Sequence, residues 1–216
     1  MDRIFKVVMV GAVASGKTSL RNYFLHRSFA WHYAPTATAD FVSTNVTLDS
    51  GELAAMQIWD TGGDDTLAIN SLAQDADGIA LVYDSTQPES LRVLERHLAS
   101  LRPRLRADAV VVAVRTKTDL LLPAVAPPEY LHGDVACMDT SARTGEGVDQ
   151  VFRTMVAMCL SRWRAQGAMA LKPRVSRHGD PILYHRFEID DGLPGKRRLQ
   201  ASGRLRATMR RLLCLG

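Results

Sequence analysis

Eight consecutive residues carry the first recognisable chemistry. Gly11-Ala12-Val13-Ala14-Ser15-Gly16-Lys17-Thr18 fits G-x-x-x-x-G-K-[ST] without a gap. Glycines let a backbone close around an anion, and successive N–H groups then point inward as a nest. Val13, Ala14, Ser15 and Gly16 are the residues whose amides would face a phosphate chain. Lys17 would reach the terminal phosphates, and the Thr18 hydroxyl would hold Mg2+. The plainer reading is a glycine turn with an incidental lysine. What precedes and follows the loop argues against it.

Phe5 to Val10 is a short apolar run that predicts a buried strand, and Lys17 to His26 spaces Leu20 and Phe24 at a helical interval. Such a helix aims its positive dipole end at an anion held by the loop. Phe41–Leu48 and Leu53–Trp59 read as an antiparallel hairpin around Asp49-Ser50-Gly51. Ile79–Tyr83 and Val110–Val114 are continuous apolar runs suited to inner strands covered on both faces. Between them, Pro88 to Arg102 carries Leu91, Leu94, Leu98 and Leu101 on one helical stripe. Val135–Met138 predicts a last strand and Val148–Trp163 a last helix. The expectation is an α/β fold of the P-loop NTPase kind. It is a three-layer sandwich with a mostly parallel sheet of about six strands, one antiparallel edge strand and flanking helices.

Composition agrees with a globular chain of this class. The 216 residues are 46% apolar and 23% charged. Cys137, Cys159 and Cys214 have neither metal-ligand nor redox spacing, which points to a reducing compartment, and no apolar run is long enough to span a bilayer. Charge divides unevenly: from Lys172 onward there are 11 basic and 4 acidic residues, against 16 basic and 19 acidic before it. A mildly acidic body, residues 1–164, is expected to end in a basic tail, residues 165–216. Within the tail, 196–213 holds seven basic residues, no acid, and Leu205, Met209, Leu212 and Leu213 on one helical face. An amphipathic helix there would lie on an anionic membrane surface; an acidic partner and a solvated, partly disordered tail are the alternatives.

The phosphate loop does not name a base; four further segments do. They are Trp59-Asp60-Thr61-Gly62-Gly63, Thr116-Lys117-Thr118-Asp119, Thr140-Ser141-Ala142-Arg143-Thr144-Gly145, and Tyr33-Ala34-Pro35-Thr36 followed by Asp40-Phe41. In order and content they resemble the signature segments of a small GTPase of the Ras superfamily, nearest in pattern to the Rab branch. The resemblance covers residues 4 to about 164.

The resemblance implies GTP or GDP with Mg2+ as the ligand. It places Asp119 on guanine N1 and N2, Lys117 over the base and the Ala142 amide on the guanine carbonyl. Thr116, Ser141 and Arg143 complete the base end. It puts Asp60 and Thr36 with Thr18 around the metal, and Gly63 and Lys17 at the γ-phosphate. It implies effector, exchange-factor and activating proteins meeting residues 33–41 and 60–76. It also implies a monomeric cytoplasmic protein, peripheral on the cytosolic face of a membrane, with no role in binding nucleic acid. An ATP-dependent kinase is disfavoured because adenine lacks the donor pair that Asp119 would accept.

Five departures from the pattern matter. Val13 replaces a small residue. Asp64 replaces the glutamine that orients water, and a carboxylate there is shorter, cannot donate and repels the γ-phosphate. Both changes predict slow hydrolysis or, as an alternative, a hydrolysis-deficient GTP-binding scaffold regulated by exchange or abundance. Thr116 replaces asparagine. Pro123, Pro127 and Pro128 oppose the helix usually found between Asp119 and Thr140. Asp64-Asp65-Thr66-Leu67 lacks the usual basic-aromatic run. Cys214 stands third from the end, so a four-residue prenylation box is absent and prenylation is not expected.

Overall fold

The structure, a computed structural model, describes residues 3–32, 36, 39–62, 66–121 and 135–166, and the backbone of 183–186. Its sheet contains β1 (Ile4–Val10), β2 (Asp40–Thr47), β3 (Leu53–Asp60), β4 (Gly78–Asp84), β5 (Val110–Thr116), β6 (Ala136–Asp139) and β7 (Leu183–Arg186). The spatial order is β6-β5-β4-β1-β3-β2-β7. β1 pairs parallel with β3 and β4, β4 with β5, and β5 with β6. β2 runs antiparallel to β3, joined to it by the hairpin turn. The first six strands match the sequence expectation.

Among the described residues, four helices flank the sheet, two on each face. On one face α1 (Lys17–His26) and α4 (Val148–Ala165) cover a core containing Phe5, Val7, Met9, Met56, Ile58, Val112 and Val114. On the other, α2 (Thr66–Ala73) and α3 (Pro88–Leu101) cover Val8, Val10, Ile79, Leu81 and Ala113. The alternation along β1 thus feeds two cores. α3 starts at Pro88, whose fixed φ suits a first turn. It buries Leu91, Leu94, Leu98 and Leu101, each contributing about 1.5–3 kcal/mol.

Two elements are additions to the sequence reading. α2 was unassigned there; Ile69 and Ala73 are its buried i, i+4 pair. β7 falls inside the span assigned to the tail. It pairs antiparallel with residues 40–43 of β2, so the sheet extends past residue 164 and β2 is partly covered rather than a free edge. The proline-rich stretch 122–134 and the 196–213 segment lie outside the described residues, as does Cys214. Cys137 and Cys159 are free thiols. No helix among the described residues is long and apolar enough to cross a membrane.

Candidate nucleotide site

The C-terminal ends of β1, β3, β4 and β5 converge on one cleft of about 470 Å3. Val13, Ala14, Ser15, Gly16, Lys17, Thr18, Thr36, Thr116, Lys117, Asp119, Ala142 and Arg143 all line it. Asp60 and Ser141 are fully buried behind that lining. Gly63 and Asp64 lie outside the described residues.

At one end the loop after β1 turns through left-handed backbone at Ala14 (φ 59°) and Gly16 (φ 98°), then enters α1. Glycine adopts the second of these without steric cost. Gly11 is needed for a different reason: a Cβ there would sit 1.9 Å from the Val82 carbonyl oxygen. Lys17 is nearly buried and folds back along the loop, its Nζ donating to the carbonyls of Gly11 (2.9 Å) and Ala12 (2.8 Å). Val13 remains 45% exposed.

Beside the loop stands a cluster of hard oxygen donors. The Thr18 hydroxyl donates to Asp60 Oδ2 at 2.6 Å and lies 2.8 Å from the Thr36 hydroxyl. Asp60 is 0% exposed, and its Oδ1 has no hydrogen-bond partner. Burial pushes its carboxyl above the usual range; Arg21, Thr18 and Lys17 pull it back in part. Arg21 Nη1 stands 3.1 Å from Asp40 Oδ2 and 3.6 Å from Asp60 Oδ2. An orphaned buried carboxylate oxygen beside two hydroxyls fits Mg2+, which takes oxygen ligands and keeps several waters. Gly62 shapes this corner, since a Cβ on it would meet the Thr36 carbonyl oxygen at 3.1 Å.

The other end is built from the loops after β5 and β6. Thr116 places its hydroxyl 2.6 Å from the Ser15 carbonyl oxygen and 3.0 Å from that of Tyr83, bracing the phosphate loop against β4. Lys117 takes a left-handed conformation (φ 59°). Its Nζ donates to the Ala14 carbonyl (3.0 Å) and to Asp84 Oδ2 (2.6 Å), so its stem lies along the cleft. Asp119 accepts from the Ser141 hydroxyl at 2.6 Å and has Arg143 Nη1 3.5 Å from its other oxygen. The Thr118 hydroxyl and amide both donate to the Thr140 carbonyl, tying the two loops together. Gly145 follows at φ 86°; a Cβ there would fall 2.0 Å from the Tyr23 hydroxyl oxygen on α1.

Sequence reasoning missed Phe29, Trp31 and Arg21. Phe29 and Trp31 form the outer wall, with rings 5.3 Å apart and edge to face. Trp31 is 74% exposed, and the Arg143 guanidinium lies 5.3 Å from its centroid. Lone aromatics in a polar loop carry no spacing signal. Arg21 reads as an ordinary helix-face charge until β2 and β3 stand beside it.

The Ras family profile matches residues 6–161. Ras-related protein Rab-7b of Mus musculus is 32% identical over 170 residues, covering 74% of this chain and 84% of its own length. GTP-binding protein ypt3 of Schizosaccharomyces pombe is 33% identical over 162 residues, 72% of this chain and 75% of its length. Ras-related protein RABD2a of Arabidopsis thaliana is 30% identical over 190 residues, 84% and 93% respectively.

Proposed function

The chain belongs to the Ras family as a Rab-like small GTPase, and from that premise we propose that it holds guanine nucleotides firmly while hydrolysing GTP slowly. Val13 carries the second half of this reading. It lines the cleft on the phosphate loop and keeps 45% of its surface exposed. A β-branched side chain there obstructs the attacking water and any arginine supplied by an activating protein. Asp64 supports the same reading from the sequence, because a carboxylate cannot donate to water and repels the γ-phosphate.

In this reading guanine sits between Lys117 and the Phe29 wall. Asp119, held by Ser141 and Arg143, accepts the N1 and N2 hydrogens. Adenine would leave that carboxylate unmatched, at a cost of about 1–3 kcal/mol or more. The amides of residues 13–18 take the phosphates, and Lys17 exchanges loop carbonyls for phosphate oxygens. Thr18, Thr36 and Asp60 hold Mg2+, which when bound offsets charge between the terminal phosphates. Thr36 binds Mg2+ and the γ-phosphate only in the triphosphate state, the kind of differential contact that lets a nucleotide order a segment.

Effector, exchange and activating proteins then meet residues 33–41 and 60–76, beside the stacked Phe41–Trp59 pair (centroids 4.5 Å). Likeness to Rab proteins supports a role in membrane traffic or signalling. Residues 196–213 act as a basic contact to the anionic cytosolic face of a membrane.

The test is a single-turnover assay on purified chain with GTP and Mg2+, after identifying the co-purified nucleotide by chromatography. The expected result is guanine nucleotide with slow phosphate release that Asp64→Gln accelerates. A wild-type rate equal to that of ordinary Rab proteins overturns the slow step. Tight GTP binding without phosphate release in any variant moves the assignment to a scaffold regulated by exchange or abundance. For the tail, pelleting with phosphatidylserine vesicles should fall when the seven basic residues of 196–213 become alanine. Unchanged pelleting removes the membrane assignment.

A further inference from the structure

Arg21 lies on α1 one turn past Lys17 and three residues past Thr18, so it shares a helix face with the residues that line the metal corner. Its side chain is only 12% exposed. Nη1 reaches Asp40 Oδ2 at 3.1 Å and Asp60 Oδ2 at 3.6 Å, and Nη2 lies 3.4 Å from Asn22 Oδ1. Nε is buried with no hydrogen-bond partner. The guanidinium therefore stands between two carboxylates with a donor to spare. One of those carboxylates is fully buried and belongs to the cluster that fits Mg2+.

A buried carboxylate needs a positive charge nearby. In a site made only of Asp60, Thr18 and Thr36, the metal alone supplies it. Here the chain carries a cation of its own within reach of the same oxygen atoms. A divalent ion held by Asp60 would be repelled by the guanidinium 3.6 Å from the same carboxylate, where screening by solvent is weak.

We propose that Arg21 is a positioning residue that competes with Mg2+ for Asp60, lowering metal affinity and raising the Mg2+ concentration that nucleotide retention requires. Asp40 gives the displaced guanidinium somewhere to go. It opens β2, four residues past Thr36. Metal entry then shifts Arg21 from a bridge between Asp60 and Asp40 onto Asp40 alone, tightening the start of β2 against α1. Metal occupancy and the position of the segment before β2 become linked through one side chain. This rests on the assignment of the cleft to guanine nucleotides.

The experiment measures release of a fluorescent GDP analogue from the full chain across a Mg2+ titration, with thermal denaturation at each metal concentration. Arg21→Met keeps the aliphatic stem and removes the charge. It should lower the Mg2+ concentration for half-maximal retention by roughly tenfold, a shift of about 1.4 kcal/mol. Arg21→Lys should restore most of the wild-type midpoint. Asp40→Asn removes the alternative partner and should raise the midpoint more in wild type than in the Arg21→Met background. A purely structural role would speed release equally at every Mg2+ concentration and leave all midpoints together; that result overturns the proposal. Should Arg21→Met not fold, Arg21→Lys and Asp40→Asn read the same competition. Failure of the wild-type chain to bind the GDP analogue sinks the nucleotide assignment instead, while binding with immobile midpoints sinks only the role of Arg21.

Discussion

The two ends of the cleft differ in how their functional groups are held. At the base end each polar group has a partner on a neighbouring loop: Asp119 on Ser141, Thr118 on Thr140, Lys117 on Ala14 and Asp84. Where Thr116 stands in place of asparagine, its hydroxyl reaches the Ser15 and Tyr83 carbonyls, and the brace between loop and strand is kept. At the phosphate end the departures are of another kind. Val13 adds exposed bulk on the loop, and in the proposed function Asp64 puts a carboxylate where the resemblance implies a water-orienting glutamine. The contacts that support Asp119 are many and mutually bracing, so one substitution among the supporting residues, such as Thr116, can be absorbed. In the proposed function hydrolysis rests on one water and its immediate neighbours, so both substitutions would reach the same step.

This contrast can be broken most sharply at Asp119. Asp119→Ala should reduce the preference for guanosine over adenosine nucleotides by about a thousandfold, read by competition binding. A preference that survives would mean that the base end does not discriminate through this carboxylate. Next in size, Val13→Gly combined with Asp64→Gln should raise single-turnover hydrolysis by roughly 10- to 100-fold, a barrier change of about 1.4–2.8 kcal/mol. GDP affinity should stay within a few-fold, which is what separates the two ends.

Thr116→Val removes the buried hydroxyl that the Ser15 and Tyr83 carbonyls share. The hydroxyl's single hydrogen is shared between those two carbonyls, so the loss is that of one donor, about 1–3 kcal/mol in stability by chemical denaturation, with Thr116→Ser close to wild type. The smallest expected effect is at the outer wall. Trp31→Ala deletes an exposed cation–π contact worth roughly 0.5–1 kcal/mol. GDP should leave a few-fold faster by stopped flow, with the melting temperature unchanged. An effect as large as that at Asp119 would mean that the wall, not the carboxylate, retains the base.

The same contrast explains what could be read from the amino-acid order. Continuous apolar runs such as Ile79–Tyr83 and the leucine stripe of α3 are local patterns, and they announced the sheet and its cover. The phosphate loop was equally legible, because its groups act within eight consecutive residues. The rest depends on neighbours distant in sequence. Within α2, Ile69 and Ala73 are two small cues in a short segment of low polarity contrast. β7 has only four residues, and its register comes from the open side of β2 rather than from its own composition. Arg21 becomes meaningful only when β2 and β3 bring Asp40 and Asp60 to it. Phe29 and Trp31 matter only because Arg143 arrives opposite them.

Gly145 has a mechanical consequence. With no room for even one added carbon beside the Tyr23 hydroxyl, the loop after β6 bears directly on the helix that opens at Lys17. The two ends of the cleft cannot approach each other there without displacing that helix. In the proposed function the cleft thus sets a shortest span, and a ligand is gauged by its length from ring to phosphate as well as by its hydrogen bonds.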